Sequence, residues 1–308
     1  MLDNFIKKIL GHDEQQNTPE TPSAPVIMAP VNLRPGKDEG ELYYKVSFST
    51  DRGLMREKNE DSYFIDGKYS SVSEQSSGDC FLELSDETHV YGLFDGMGGE
   101  SFGDRASALA AAALGDISEK LRSSSASDLP FFMNGFARLA NNEIIEMLSE
   151  NGCERGGSTF TAICLKDGSA YPFYLGDSRI YLCDENGLLQ ITEDQTLAIR
   201  NIKSGVYTEE EARNSPDHHK LTCFLGADKA QLGLDAQPCL PVTMRPGVKL
   251  LMCSDGLSDM CSREEIAAIL AADHENTAQA LKDKAIENGG ADNVTCIVIE
   301  AINGIFNS

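Results

Sequence analysis

The sequence predicts an α+β protein in which strands form packed sheets and helices cover the outside. The predicted elements follow one another as strands, two helices, strands, two helices and a final strand. Two turn signals, Asp167-Gly168 and Asn186-Gly187, separate the hairpins of the central block. A doubly wound fold would instead alternate strands with single helices. The order therefore favours stacked sheets with helices on their outer faces.

Four segments in the first half of the chain have the apolar pattern of strands. They cover residues 42–51, 61–65, 80–84 and 90–95. Residues 53–59 read as a polar loop, and residues 67–79 as a low-complexity polar loop that is expected to be mobile. Helical periodicity then covers about 104–122 and about 129–150.

The second half of the chain repeats this order. Strand patterns cover residues 158–165, 169–176, 179–183 and 188–191. Residues 192–229 are polar and helical in patches, and we interpret them as an excursion from the sheet. The remaining elements are strands at 237–244 and 248–253, helices at about 262–272 and 275–288, and a last strand at 294–300.

Composition excludes several classes of function. The chain of 308 residues carries 26 basic and 49 acidic residues, a net charge of −23, which disfavours nucleic acid and anionic membranes as partners. No apolar run approaches the roughly 20 residues that span a bilayer, and the N-terminus is too short and too charged for a signal peptide. Nine scattered cysteines without a CxxC pair indicate a reducing compartment. We therefore expect a soluble, cytoplasmic protein with no membrane span.

Two polar segments carry further expectations. Residues 11–40 read as a flexible linker, which sets the boundary between an N-terminal segment at 1–40 and a globular domain at 41–303. Residues 1–10 are either a frayed terminus or a short amphipathic helix that docks on a partner. The adjacent His218 and His219 lie in a polar loop and are interpreted as a solvated pair.

The stretch Tyr91–Arg105 ends a short apolar run in a single carboxylate, Asp95. Gly96, Gly98 and Gly99 follow, and glycine lets the backbone turn tightly or approach an ion closely. Taken alone, this pattern also fits an ordinary corner between a strand and a helix with a solvated aspartate.

Other acidic residues share the placement of Asp95, where an apolar strand meets a polar turn. They are Glu60, Asp61, Asp177, Asp255 and Asp292. Clustered carboxylates repel one another unless a cation compensates them. Ligation by oxygen alone points to Mg²⁺ or Mn²⁺ rather than to zinc or copper. Arg56, four residues before Glu60, can supply a fork for a phosphate group, although a surface loop cation is the simpler reading of that residue alone.

Seven segments, in order, resemble the bacterial form of the metal-dependent serine/threonine protein phosphatases of type 2C. They are REKNED (56–61), FDGMGG (94–99), GGSTFTAICL (156–165), YLGDSRIYL (174–182), LTCFLGA (221–227), CSDGLSD (253–259) and GGADNVTCIV (289–298). The resemblance spans about residues 42–300 and implies the fold of that family. This fold is a four-layer α-β-β-α sandwich of two mainly antiparallel sheets with helices on both outer faces.

The resemblance also implies a role for each site residue. Asp95 would bridge two metal ions, with the Gly96 carbonyl as a further ligand. Asp255 and Asp292 would bind the first ion, and Glu60 and Asp61 would lie around the second. Asp177 matches a residue that, with Asp255, holds a third and weaker ion. Arg56 matches the arginine that binds phosphate, and residues 192–229 match a flap beside the active site.

The sequence departs from the family pattern at three positions. Met97 stands where animal members have a histidine proposed as the general acid, and methionine cannot donate that proton. Gln195 replaces a histidine that is common at the start of the flap, and Cys223 replaces an arginine that is common after Leu-Thr. None of these changes removes an implied metal ligand.

The implied function is hydrolysis of phosphoserine and phosphothreonine in proteins by a metal-activated water. Arg56, Asp95 and Asp255 would be the catalytic residues and Mn²⁺ or Mg²⁺ the cofactor, with two ions and room for a third. A monomer that opposes a bacterial Ser/Thr kinase in signalling is expected. The alternatives are a binding module that holds phosphoproteins without hydrolysis, and a phosphatase that regulates an anti-anti-sigma factor.

Overall fold

Two β-sheets face each other in the computed structural model, which describes residues 41–70, 74–98, 102–153, 155–227 and 234–304. The predictions for residues 1–40 lie outside the described residues. Every strand pair of the two sheets is antiparallel. The pairing therefore agrees with the hairpin-rich order read from the sequence.

The first sheet has six strands. In spatial order they are β10 (Gly187–Gln190), β9 (Arg179–Asp184), β13 (Lys249–Cys253), β14 (Val294–Asn303), β1 (Leu42–Asp51) and β4 (Ser76–Leu84). The longest pairing joins the two ends of the domain, since β1 pairs with β14 from Leu42 opposite Asn303 to Asp51 opposite Val294.

The second sheet has eight strands. In spatial order its main path is β11 (Gln237–Pro238), β8 (Ser169–Leu175), β7 (Phe160–Lys166), β5 (His89–Met97), β2 (Asp61–Ile65) and β3 (Lys68–Tyr69). Two short strands lie off this path: β12 (Val242–Thr243) pairs with β8, and β6 (Gly157–Ser158) pairs with β5.

Helices cover the outer face of each sheet. The α-helices of the described residues are α1 (Gly103–Ser123), α2 (Leu129–Glu150), α3 (Leu197–Lys203), α4 (Glu209–Arg213), α5 (Asp255–Ser258), α6 (Arg263–Ala271) and α7 (Thr277–Glu287). Helices α1 and α2 pack on the eight-stranded sheet, and α6 and α7 pack on the six-stranded sheet. Helices α3 and α4 lie in the predicted flap region at 192–229.

Three apolar clusters fill the spaces between the four layers. One lies between the two sheets and another lies under α6 and α7. The third lies between the eight-stranded sheet and helices α1 and α2, where Phe136 is in ring contact with Phe94 and Phe160. Strand β5 is buried on both faces, because Tyr91 and Leu93 face the sheet interface while Val90 and Phe94 face the helices. The predicted four-layer α-β-β-α fold is confirmed.

Two predicted elements differ from the structure. Residues 76–79 belong to β4 rather than to a mobile loop, because Ser76–Leu84 pairs with β1 along its whole length, and this pairing outweighs the polar composition. The predicted strand at 237–244 is two short strands, each paired with β8. Pro241 lies between them and has no N–H to donate to a ladder. Among the described helices, none is both long and apolar enough to cross a bilayer.

The contacts of Phe136 give a stability prediction. Phe136 is fully buried, whereas Phe131 in the same helix is 58% exposed. Replacement of Phe136 by alanine leaves a cavity between α2 and the sheet, so the free energy of unfolding should fall by about 3–5 kcal/mol. The measurement is equilibrium unfolding in urea. Phe131→Ala is the matched control and should change stability by less than about 1 kcal/mol; equal losses in the two variants would contradict this account of the core.

Candidate metal centre

Two of the predicted acidic residues lie side by side on neighbouring strands of the eight-stranded sheet. Asp61 is the first residue of β2 and Asp95 is near the end of β5, and the two are directly opposite in the antiparallel register. Directly opposed residues of an antiparallel pair point to the same face of the sheet. Strand pairing therefore forces these two carboxylates together.

The six-stranded sheet brings two more carboxylates to the same edge. Asp255 begins α5 just after β13, and Asp292 precedes β14, the strand paired with β13. Asp255 and Asp95 lie close enough across the gap between the sheets for each to shift the pKa of the other. The two sheets therefore meet at a cluster of Asp61, Asp95, Asp255 and Asp292.

Burial and the charges of neighbouring carboxylates make Asp61, Asp95 and Asp255 unusually hard to ionise. Burial raises the pKa of Asp61 to about 7, and the charges of Asp255 and Asp292 add to the effect. Burial and the charge of Asp292 raise the pKa of Asp255 to about 6. The pKa of Asp95 lies well above its ordinary value because the residue is buried and because Asp255, Asp61, Asp177 and Asp292 surround it. Such a cluster has the electrostatic character of a cation site.

A frame of hydroxyl and amide groups fixes Asp61. Its Oδ2 accepts hydrogen bonds from Ser254 Oγ at 2.8 Å and from Thr295 Oγ1 at 2.7 Å. Its Oδ1 is buried and has no hydrogen-bond partner among the described residues. A buried carboxylate oxygen without a donor is costly, and a bound cation would satisfy it. The donor set of the cluster, which is made of oxygens alone, fits Mg²⁺ or Mn²⁺.

Gly96 sits where no side chain fits. Its N–H donates to the carbonyl of Glu60 at 3.1 Å. A Cβ at this position would lie 2.3 Å from the Gly103 carbonyl oxygen and 2.4 Å from that of Glu60. Contacts that short do not occur, so the close approach of three backbone segments requires glycine here. Gly98 is also described, and Gly99 lies outside the described residues.

Glu60 and Arg56 flank the cluster rather than entering its centre. The carboxylate of Glu60 packs against Gly103 at the start of α1, and its pKa is raised by burial and then by the charge of Asp104. Arg56 donates from Nη2 to Asp292 Oδ2 at 2.6 Å, and its side chain is half exposed. Arg56 therefore lies at the mouth of the cluster.

Asp177 lies on the side of the cluster next to Asp255. Its pKa is well above the ordinary value because of burial and because of the charges of Asp255 and Asp194. The charge of Arg179 lowers this pKa only in part. Arg179 makes a buried forked ion pair with Asp194, with Nη2 at 2.7 Å from Oδ2.

The sequence did not mark Asn293, which connects the loop that carries Arg56 to the start of β14, as a functional residue. Asn293 accepts a hydrogen bond from the Glu60 N–H at 2.8 Å and donates to the carbonyls of Arg52 and Lys58, each at 2.8 Å. It thereby holds the segment that carries Arg56 against the start of β14. In the sequence, Asn293 is only an asparagine directly after Asp292. The sequence alone does not reveal that its hydrogen-bond partners lie more than 230 residues away.

Comparison with known proteins gives matches to one family. The family model "Protein phosphatase 2C" matches residues 53–201. The chain is 31% identical over 265 residues to the serine/threonine protein phosphatase PstP of Mycobacterium tuberculosis, covering 85% of this chain and 46% of that protein. It therefore spans about half the length of that relative. It is 30% identical over 258 residues to the serine/threonine phosphatase stp of Listeria monocytogenes, covering 82% of this chain and 94% of that one.

Solved structures give the same result. The catalytic domain of PstP in complex with 2 manganese ions aligns with a TM-score of 0.66 at 29% identity, covering 85% of this chain and 100% of that one. The serine/threonine phosphatase of S. agalactiae aligns with a TM-score of 0.70 at 26% identity, covering 83% and 99% of the two chains.

The raised pKa of Asp61 predicts how pH affects the stability of the metal-free protein. The folded state binds a proton at Asp61 up to about pH 7, whereas the unfolded state loses it near pH 4. Folded protein therefore holds more protons in this window, and the free energy of unfolding falls as pH rises through it. Asp61→Asn has no carboxyl proton to lose at this position. As pH rises from about 5 to about 7, its free energy of unfolding should therefore increase relative to that of the parent by at least about 1.4 kcal/mol.

The measurement is urea unfolding in EDTA at several pH values. The relevant quantity is the difference between variant and parent as a function of pH, since Asp61→Asn also alters hydrogen bonds that do not titrate. Parallel curves for the two proteins would contradict the assignment of a raised pKa to this residue.

Proposed function

The chain belongs to the protein phosphatase 2C family, and from that premise we propose that it is a metal-dependent protein-serine/threonine phosphatase. The observation that carries the proposal is the convergence of Asp61, Asp95, Asp255 and Asp292 from both sheets. The pKa values of Asp61, Asp95 and Asp255 are raised, and the buried Oδ1 of Asp61 has no hydrogen-bond donor among the described residues. A divalent cation is the counter-charge that such a set needs.

The proposed ligands of the ions are those that the family resemblance implies, and the positions of the carboxylates support them. Asp95 would contact two ions at once, since its neighbours are Asp61 on its own sheet and Asp255 beyond the other. Asp255 and Asp292 would hold the first ion. Asp61, Glu60 and the Gly96 carbonyl would hold the second, and Asp177 with Asp255 would hold a third. When bound, Mn²⁺ or Mg²⁺ would supply Lewis-acid charge and an activated water for attack on a phosphate monoester.

Arg56 would bind the phosphate group of the substrate. Its side chain is half exposed at the mouth of the cluster, and its guanidinium already holds one carboxylate oxygen of Asp292. A guanidinium that pairs with a carboxylate presents the same fork to phosphate oxygens. Asn293 positions the loop that carries Arg56 through its three hydrogen bonds. Phosphate would therefore be oriented by Arg56 before hydrolysis.

The proposal also covers the domain organisation, the substrates and the opposing enzyme. Residues 41–303 would form the catalytic domain, and residues 192–229 its flap. The substrates would be phosphoproteins, and a Ser/Thr kinase would be the opposing enzyme in a cytoplasmic signalling pair, with the phosphatase acting as a monomer. A non-hydrolysing binding module is disfavoured because no predicted ligand position is lost.

Metal dependence is the first test of this proposal. The parent protein should release phosphate from a phosphothreonine peptide in Mn²⁺ and stop when EDTA is added. Asp255→Asn removes a ligand that faces Asp95, so kcat/KM should fall by at least about 100-fold. Activity that survives both EDTA and Asp255→Asn would refute the mechanism.

Arg56 gives the second test. Arg56→Ala removes the fork, so KM for the peptide should rise and kcat/KM should fall by about 100-fold. Arg52→Ala is the matched control. Arg52 lies in the same loop, and its hydrogen bond with Asn293 is made by the backbone carbonyl, which alanine keeps. Equal kinetics for the two variants would remove Arg56 from the phosphate site.

A further inference from the structure

Two histidines of the flap lie beside the carboxylate cluster. His218 Nε2 is 3.8 Å from Asp259 Oδ1, and His219 Nδ1 is 3.7 Å from Asp259 Oδ2. One oxygen each of Asp255 and Asp259 and a ring nitrogen of His219 lie within 4.8 Å of one another. The pair lies in a loop, as predicted, and the side chain of His219 is 64% exposed. The structure adds that both histidines are next to Asp259, close to the proposed metal ligand Asp255.

We propose that His219, Asp255 and Asp259 form an inhibitory site for Zn²⁺ that links the flap to the catalytic centre. The proposal rests on the proposed function, because Asp255 is also assigned to the catalytic ions. One imidazole nitrogen and two carboxylate oxygens are a typical zinc donor set, at about 2.0–2.2 Å from the ion. Four-coordinate zinc then has neighbouring donor atoms about 3.4 Å apart, so the observed 3.7 Å between His219 and Asp259 requires only a small contraction.

Hydrogen bonds on both sides hold His219 in this position. On one side, Asp217 accepts hydrogen bonds from Tyr207 Oη at 3.0 Å and from Lys220 Nζ at 2.8 Å. On the other side, the Leu197 N–H donates to the Lys220 carbonyl at 2.7 Å. The backbone at His219 is therefore fixed by the fold of the flap.

A backbone hydrogen bond also fixes Asp255 and Asp259 relative to each other. The Asp259 N–H donates to the Asp255 carbonyl at 2.8 Å, as in a helical turn. Residues four apart in such a turn lie on the same face. Asp255 and Asp259 thus present their side chains together toward the flap.

No lysine or arginine among the described residues forms an ion pair with Asp259 of this group. The ion pairs of Asp259 there are with the two histidines. A second group of one histidine and two carboxylates, formed by Asp66, Glu83 and His89, differs in this respect. Arg122 pairs with Asp66, and the Tyr91 hydroxyl donates to Glu83. The flap group is therefore the one with donor capacity left for a cation.

Zinc at this position would lower catalysis by two routes. It would engage Asp255, which the proposed function uses for the catalytic ions, and it would fasten the flap to the end of α5. Although Asp255 is shared with the proposed catalytic ions, the nitrogen donor favours zinc at this site, because Mg²⁺ and Mn²⁺ favour sites made of oxygen alone. Zinc should thus inhibit even when manganese is in excess.

The test uses the chain of residues 1–308 and three variants of it. Hydrolysis of a phosphothreonine peptide is measured in excess Mn²⁺ with increasing Zn²⁺. In parallel, Co²⁺ is titrated in excess Mg²⁺ and its visible absorption is recorded, because a four-coordinate site with a nitrogen donor absorbs more strongly than an octahedral oxygen site. His219→Gln and Asp259→Asn remove ligands, and His274→Gln, between α6 and α7, is the matched control.

We expect His219→Gln and Asp259→Asn to require at least about tenfold more Zn²⁺ for half inhibition and to lose the Co²⁺ band, while His274→Gln behaves like the parent. The same zinc sensitivity and the same Co²⁺ spectrum in His219→Gln and in the parent would overturn the site. If the parent hydrolyses no peptide, the proposed function fails on its own, and the Co²⁺ spectra of the parent and His219→Gln still decide the zinc site.

Discussion

The repulsion among buried carboxylates at the edge shared by the two sheets is the constraint on which the rest of the site depends. Asp61 and Asp95 come from one sheet, and Asp255 and Asp292 come from the end of the other. The cluster forms because the strand register and the stacking of the two sheets bring these four side chains to one edge. The apolar contacts of the three core layers must outweigh this repulsion whenever no cation is bound.

Rigid supports around the cluster limit how the carboxylates can relax. Asp61 is held by Ser254 and Thr295, and Thr295 is in turn hydrogen-bonded to Thr50 at 2.7 Å. Gly96 allows three backbone segments to meet without a side chain between them. These supports limit how far Asp61 and the backbone at Gly96 can move in response to the repulsion, and the proposed cation site would be pre-organised by them.

Much of the fold and the acidic residues of the centre were predictable from the sequence. Apolar runs that lead to Asp95 or Asp255, or that begin just after Asp292, mark strand ends, and strand ends of stacked sheets meet at common edges. The roles of Asn293, Ser254 and Thr295 were not predictable, because their partners come from distant elements of the chain. The same holds for His219, whose neighbour Asp259 follows a different sheet strand. Polar side chains of this kind have no periodic signal, and only tertiary structure shows what they contact.

The pairing of β1 with β14 also affects how the protein is made. These strands lie at opposite ends of the domain and pair over ten positions, from Leu42–Asn303 to Asp51–Val294. On the ribosome, β1 therefore emerges long before its partner, and the middle of the six-stranded sheet stays incomplete until synthesis is almost finished. Contacts of such long sequence separation fold slowly. The eight-stranded sheet, whose strands all precede Met244, can assemble earlier. Asp255 and Asp292 would then reach Asp61 and Asp95 last, so a nascent chain acquires its complete acidic centre only at the end of folding.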